Sequence, residues 1–102
     1  MHTIAIADAR RFSLARVERR SLVDAPDLRV ELVCFEAGQR EEALAYAATT
    51  SYQVLEGEAL VRAGEEVVRL GKGKLLSVDA GTQHALENAG GGLLVVMSAR
   101  AG

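Results

Sequence analysis

Proline occurs once in this chain of 102 residues, cysteine once and tryptophan never, and the only other aromatics are two phenylalanines and two tyrosines. Each scarcity excludes something. A single cysteine, Cys34, rules out an internal disulfide. It lies in the run Leu32-Val33-Cys34-Phe35, where a small buried thiol is expected, and no base that would stabilise a thiolate stands near it in sequence. No apolar run exceeds six residues, so no membrane-spanning helix is expected. Ile4-Ala5-Ile6-Ala7, followed by charges, is too short for the core of a signal peptide, and the cytoplasm is the expected compartment. The net charge of −2 gives no overall attraction to nucleic acid or to an anionic membrane, and neither is expected as a partner.

What is present suffices for one globular domain. Apolar residues make up 49% of the chain, too many for a disordered segment. A chain this short buries roughly 60–70% of its unfolded surface, so the expected core is thin. Charge is unevenly placed: residues 1–29 carry six arginines against four acids, and residues 30–102 carry six bases against ten acids. Arg10, Arg11, Arg16, Arg19 and Arg20 could serve as a phosphate patch. Asp8 and Glu18 interrupt them, however, and Phe12 is their only aromatic, so a solvated or subunit-facing segment is the better reading.

Along the chain, short β patterns alternate with glycine turns. Leu28–Phe35 is a strand closed by Gly38, and Ser51–Glu56 is a second, ended by Gly57. Ala59–Ala63 and Glu66–Leu70 form a tight hairpin through Gly64-Glu65. Leu75–Val78, His84–Asn88 and Leu93–Ser98 complete the series. The pattern predicts an antiparallel sandwich or barrel. Phe12–Leu22 reads as a short helix or an irregular arm, and Pro26 breaks whatever precedes the first long strand. The expected division is an N-terminal arm over 1–27 and a barrel over 28–102.

Two glycine-delimited spacings sharpen the fold. Gly38 is followed by five residues, Leu44, one residue, Tyr46, three residues, Thr50, six residues and Gly57. Gly73 is followed by five residues, Asp79, one residue, Gly81, two residues, His84, three residues and Asn88. The spacing resembles the cupin family, whose motifs are G-x5-H-x-H-x3-E-x6-G and G-x5-P-x-G-x2-H-x3-N. Gly38, Gly57, Gly73, Gly81, His84 and Asn88 match by residue as well as position, and the fifteen residues Glu58–Lys72 between the motifs resemble the family's short form. The resemblance covers about residues 28–98 and implies an all-β, double-stranded β-helix (a jelly-roll barrel).

In the family, two histidines and a glutamate of the first motif and one histidine of the second hold a divalent metal. Those positions fall here on Leu44, Tyr46, Thr50 and His84, and only His84 matches. A catalytic first-row metal needs about three protein ligands, so no metal and no other cofactor is expected. His2 is far away near the N-terminus, and Glu41 needs a register shift to point inward. The alanine-rich stretch Glu41–Ala48 therefore takes the place of the ligand-bearing strand, with a short helical turn over 41–48 as the alternative. Asp79 replaces the motif's proline, which affects turn rigidity, and Asn88 and the glycines read as turn and packing residues.

Strand alternation points Leu44, Tyr46, Thr50, Tyr52 and His84 into the barrel. Three readings follow. These side chains fill the interior; or they line a pocket for a small organic ligand; or, as in some cupin epimerases, they transfer protons without metal, His84 accepting and Tyr46 donating. A homodimer is also expected, because Leu32–Phe35 and Leu93–Met97 are apolar on both strand faces and the outward side chains need cover.

Overall fold

The computed structural model describes all residues, Met1–Gly102. A single four-residue helix, α1 (Ile6–Ala9), precedes eight strands: β1 (Glu18–Asp24), β2 (Arg29–Phe35), β3 (Thr50–Glu56), β4 (Glu58–Ala63), β5 (Glu66–Gly71), β6 (Leu75–Val78), β7 (Ala85–Glu87) and β8 (Leu94–Arg100). They form a five-stranded sheet, β1-β2-β8-β3-β6, and a three-stranded sheet, β5-β4-β7, antiparallel at every pairing. The protein is the expected all-β, double-stranded β-helix.

Between the sheets lies a core of Val33, Phe35, Tyr52, Val54, Ala59, Val61, Leu70, Val78, Leu86, Leu94 and Val96. The period of two selects them: Val33 and Phe35 on β2, Tyr52 and Val54 on β3, and Leu94 and Val96 on β8 are alternate residues. The same parity, followed toward the other end of these strands, turns inward Glu31, Thr50, and Ser98 and Arg100. One end of the barrel is thus apolar and packed, and the other, its mouth, is polar.

Two segments differ from expectation. Phe12–Leu22 does not form a helix, and from Glu18 it is a strand of the main sheet. β1 pairs with β2 from Glu18↔Cys34 to Asp24↔Arg29, with Pro26 in the connecting turn, where Ala25 N donates to Leu28 O at 3.0 Å. An edge strand bearing charge on both faces carries no clean alternation, so pairing with β2 decides its conformation. The barrel sheet accordingly begins ahead of Leu28.

The alanine-rich stretch is neither a helical turn nor a regular strand. Residues 38–46 run antiparallel along 81–88 as an irregular fourth strand of the small sheet. The ladder includes Glu41 N to Leu86 O (3.0 Å), Leu44 N to His84 O and His84 N to Leu44 O (2.9 Å each), and Gly81 N to Tyr46 O (2.8 Å). Bridges pair Arg40 with Glu87 and Leu44 with His84, so four residues advance on one side against three on the other. Glu41 lies within that slip, and its carboxylate pairs with Arg19.

A smaller cluster of Ala9, Leu32, Cys34 and Val95, joined by Phe12, Leu22, Leu55 and Met97, lies on the outer face of the large sheet. The chain's own N-terminal arm therefore covers the face for which a symmetric partner was expected. Cys34 is buried there, and burial pushes its thiol up from its ordinary range. Arg10 (3.1 Å to Glu56), Arg16 (3.7 Å to Glu18) and Arg19 (2.7 Å to Glu41) each pair with a glutamate of the same chain. No helix is long and apolar enough to cross a membrane.

Gly57, between β3 and β4, has φ +84°, and a Cβ there would collide with the Leu93 carbonyl oxygen. Gly64, at φ +61° in the β4–β5 hairpin, faces open space. Gly64→Ala should therefore cost about 1–2 kcal/mol, the left-handed backbone penalty alone. Gly57→Ala should cost roughly twice that or more, because backbone must also move. Chemical denaturation of both variants tests the ordering, and equal costs would contradict the close approach.

Candidate functional site

The polar half of the barrel is built around one hydrogen bond. Tyr52 stands on β3 of the large sheet, and His84 is held by its backbone pairing with Leu44 at the edge of the small one. Tyr52 Oη and His84 Nε2 are 2.6 Å apart, and His84 Nδ1 lies 2.9 Å from the Thr82 carbonyl oxygen. A carbonyl only accepts, so Nδ1 carries the proton and donates. Neutral Nε2 then accepts from the Tyr52 hydroxyl. Both residues are almost wholly buried, at 1% and 2% exposure. Burial is the largest cause holding the Tyr52 phenol well above its ordinary range, with the Tyr46 charge adding to it and Arg19 opposing.

Tyr46 is half-buried, its ring centroid 6.3 Å from that of His84, against 5.4 Å for Tyr52. The Arg100 guanidinium lies 4.1 Å over the Tyr46 ring. Thr50 is buried and donates to the Ala48 carbonyl at 3.2 Å. Leu44 is half-buried and joins the group through its backbone. Of the five residues expected to line the interior, the structure thus gathers Tyr46, Tyr52 and His84 into one ring cluster. Leu44 flanks it, and the Thr50 hydroxyl is turned to its own strand entry.

Sequence reasoning missed the charged groups beside this cluster. Arg19 on β1 donates from Nε and Nη2 to the two Glu41 oxygens at 2.7 and 2.9 Å, and from Nη1 to Glu31 Oε1 at 3.1 Å. Arg100 Nη1 donates to the same Glu31 oxygen at 2.7 Å. Burial works against the Arg19 charge, but the hydrogen bond and charge of Glu41, helped by Tyr46 and Glu31, outweigh it and keep the guanidinium protonated. The Arg19–Glu41 pair joins the β1 edge of one sheet to the irregular edge of the other, closing a seam that no strand ladder closes. The available signal was parity, since Glu31 shares the face of Val33, and Arg100 that of Val96. Beside this network opens a cleft of about 410 Å³ lined by Arg29, Tyr46, Ala47, Ala48, Arg100, Ala101 and Gly102.

Asn88 behaves as the packing residue expected. It is buried, donates to the Glu36 and Gly92 carbonyls at 3.1 and 2.8 Å, and accepts from Gly90 N at 3.2 Å.

The sequence matches the cupin domain family over residues 31–99, and the chain belongs to that family. No curated protein matches it in sequence. Among solved structures it is similar to the protein TT1209 from Thermus thermophilus, at 22% identity and a TM-score of 0.92, with 99% of this chain and 97% of that one covered. An uncharacterised conserved protein with a double-stranded β-helix domain from Klebsiella pneumoniae gives 19% identity and a TM-score of 0.92, covering 99% and 90%. An RmlC-like cupin from Desulfovibrio desulfuricans gives 21% and 0.88, covering 99% and 96%. These likenesses establish the fold.

The divalent metal of the family does not fit this donor set. Leu44, Tyr46 and Thr50 offer no imidazole or carboxylate, the one suitable nitrogen is bound to Tyr52, and no three His, Cys, Asp or Glu side chains converge. A ligand that displaced the Tyr52 hydroxyl would meet the lone pair of His84 Nε2.

Because the pair is closed on itself, removing either partner strands the other. His84→Leu and Tyr52→Phe should each destabilise by about 1–3 kcal/mol, and the double variant by clearly less than their sum. Additive losses in a double-mutant cycle would show that the hydrogen bond contributes little. Alkali tests the same pair. A phenol raised above its unfolded value contributes stability that is complete below about pH 10, the unfolded value, and declines above it. The wild-type protein should thus lose stability above about pH 10 more steeply than Tyr52→Phe, and parallel curves would contradict the assignment.

Proposed function

We propose that this chain is a binding protein that takes a small organic molecule into the polar half of its barrel, and does so without a bound first-row metal. The observation that carries this reading is the unequal interior. A barrel that needed only to be filled would be stabilised best by apolar side chains, because burying charge and imidazole costs desolvation. The packed end follows that rule. The other end instead holds His84, Tyr52, Glu31, Arg19 and Arg100 beside a cleft of ligand size that Tyr46 and Arg100 help to line. The proton-transfer alternative pairs His84 with Tyr52 rather than with Tyr46, since Tyr52 makes the hydrogen bond.

Screening small metabolites by thermal shift tests the binding reading. A true ligand should raise the melting temperature of the wild type and bind about tenfold more weakly to Tyr46→Ala, which loses an aromatic wall of the cleft. Equal stabilisation of both proteins by every hit, or no hit in a broad panel, would count against it. Elemental analysis tests the metal: the purified protein should carry none in stoichiometric amount. About one Mn, Fe, Ni or Zn per chain, lost in His84→Ala, would overturn that part.

A further inference from the structure

Ser98 is 1% exposed, and its hydroxyl has no hydrogen-bond partner. A buried hydroxyl left unpaired is costly, and a water, an ion or a bound solute can complete such a bond. Its surroundings indicate what. Ser98 lies directly across from Glu31 on β2 and from Tyr52 on β3, on the inward face of all three strands. Tyr52 donates its hydrogen to His84, and the Glu31 hydrogen bonds run to arginines, so neither serves Ser98.

Glu31 itself resembles a bound ligand. One of its oxygens, Oε1, accepts from Arg19 at 3.1 Å and from Arg100 at 2.7 Å. Its side chain keeps 20% of its surface exposed. Both arginines are also fixed without it, Arg19 by its two bonds to Glu41 and Arg100 over the Tyr46 ring. A pair of guanidiniums oriented by other partners is a preorganised carboxylate seat. Glu31 and Glu41 balance Arg19 and Arg100, so a monoanion replacing the Glu31 carboxylate leaves the cluster neutral.

We propose that Arg19, Arg100 and Ser98 form a binding seat for a short 2-hydroxycarboxylate, and that Glu31 fills its carboxylate position in the absence of ligand. The proposal rests on the reading of the barrel mouth as a small-molecule site, and names the ligand class. The ligand's carboxylate takes the place of the Glu31 carboxylate between the guanidiniums. The hydroxyl on its second carbon then lies beside Ser98, across the strand, and supplies the missing partner. A hydroxyl suits Ser98 because each can donate and accept.

The test is chemical rescue. Glu31→Ala should melt below the wild type, and sodium glycolate should restore part of the loss where sodium chloride at equal ionic strength does not. Glycolate should act at concentrations about three- to tenfold lower than acetate, the ratio expected of one added hydrogen bond. In Glu31→Ala/Ser98→Ala that advantage should vanish while rescue by acetate persists. Acetate and glycolate no better than chloride would overturn the seat. Rescue without any preference for glycolate would overturn the role of Ser98, and glycolamide acting as well as glycolate would overturn the carboxylate. Each of these leaves the broader binding reading standing if a metabolite hit still depends on Tyr46. Should Glu31→Ala not fold, Glu31→Ser, which also vacates the carboxylate position, carries the same comparison. In the wild type, glycolate should shift the NMR signals of the Arg19 and Arg100 Nε–H groups, and unmoved signals at saturating glycolate would also overturn the proposal.

Discussion

The hydrogen bond between Tyr52 and His84 is the constraint on which the polar half of this barrel depends. It crosses the interior from the large sheet to the edge of the small one. It consumes the phenolic hydrogen and the free imidazole nitrogen together, while the Thr82 carbonyl fixes the tautomer. The family's motifs imply a metal joining these two segments where all the ligands are present. Here a neutral pair links them, and a neutral pair needs no further ligands. Leucine and threonine at the remaining positions are compatible with that solution and incompatible with a metal.

A second constraint lies at the edge of the small sheet. Residues 38–46 make backbone bonds to 81–88, but their register slips, and a slipped ladder closes a barrel poorly. Charge completes the closure. Arg19 on the outermost strand of one sheet grips Glu41 on the irregular edge of the other, and Glu31 and Arg100 extend the network to the centre of the large sheet. Buried charge is a weak contributor to net stability, so its presence at the mouth, against apolar packing at the other end, marks where the barrel is specialised. The N-terminal segment shares in both halves of this arrangement. Its helix and Phe12 cover the outer apolar face, and its strand brings Arg19 to the seam.

Solved structures from three bacteria share this fold over nearly the whole chain at about one identical residue in five, and such likeness carries architecture rather than chemistry. The chemistry lies in the interior. That interior holds one imidazole, a buried phenol and two guanidiniums oriented by carboxylates.

The sequence by itself determined the strands from β2 to β8, their glycine turns and the cupin barrel, because period-two alternation and glycine spacing are local properties of the chain. It also determined that the metal ligands are missing, since that is a matter of residue type at spaced positions. The placing of Tyr52 and His84 inside followed from the same alternation. Only the tertiary structure decided that Tyr52, rather than Tyr46, bonds His84, because the partner of a side chain depends on which strands face each other across the core. Only it showed that Glu18–Asp24 is a strand, since an edge strand with charge on both faces has no pattern until β2 supplies one. The Arg19–Glu41–Glu31–Arg100 network lay beyond local reading for the same reason: its members sit on three strands and a slipped edge. They meet only when the sheets close, and it is closure that gives an arginine 22 residues from a glutamate its partner.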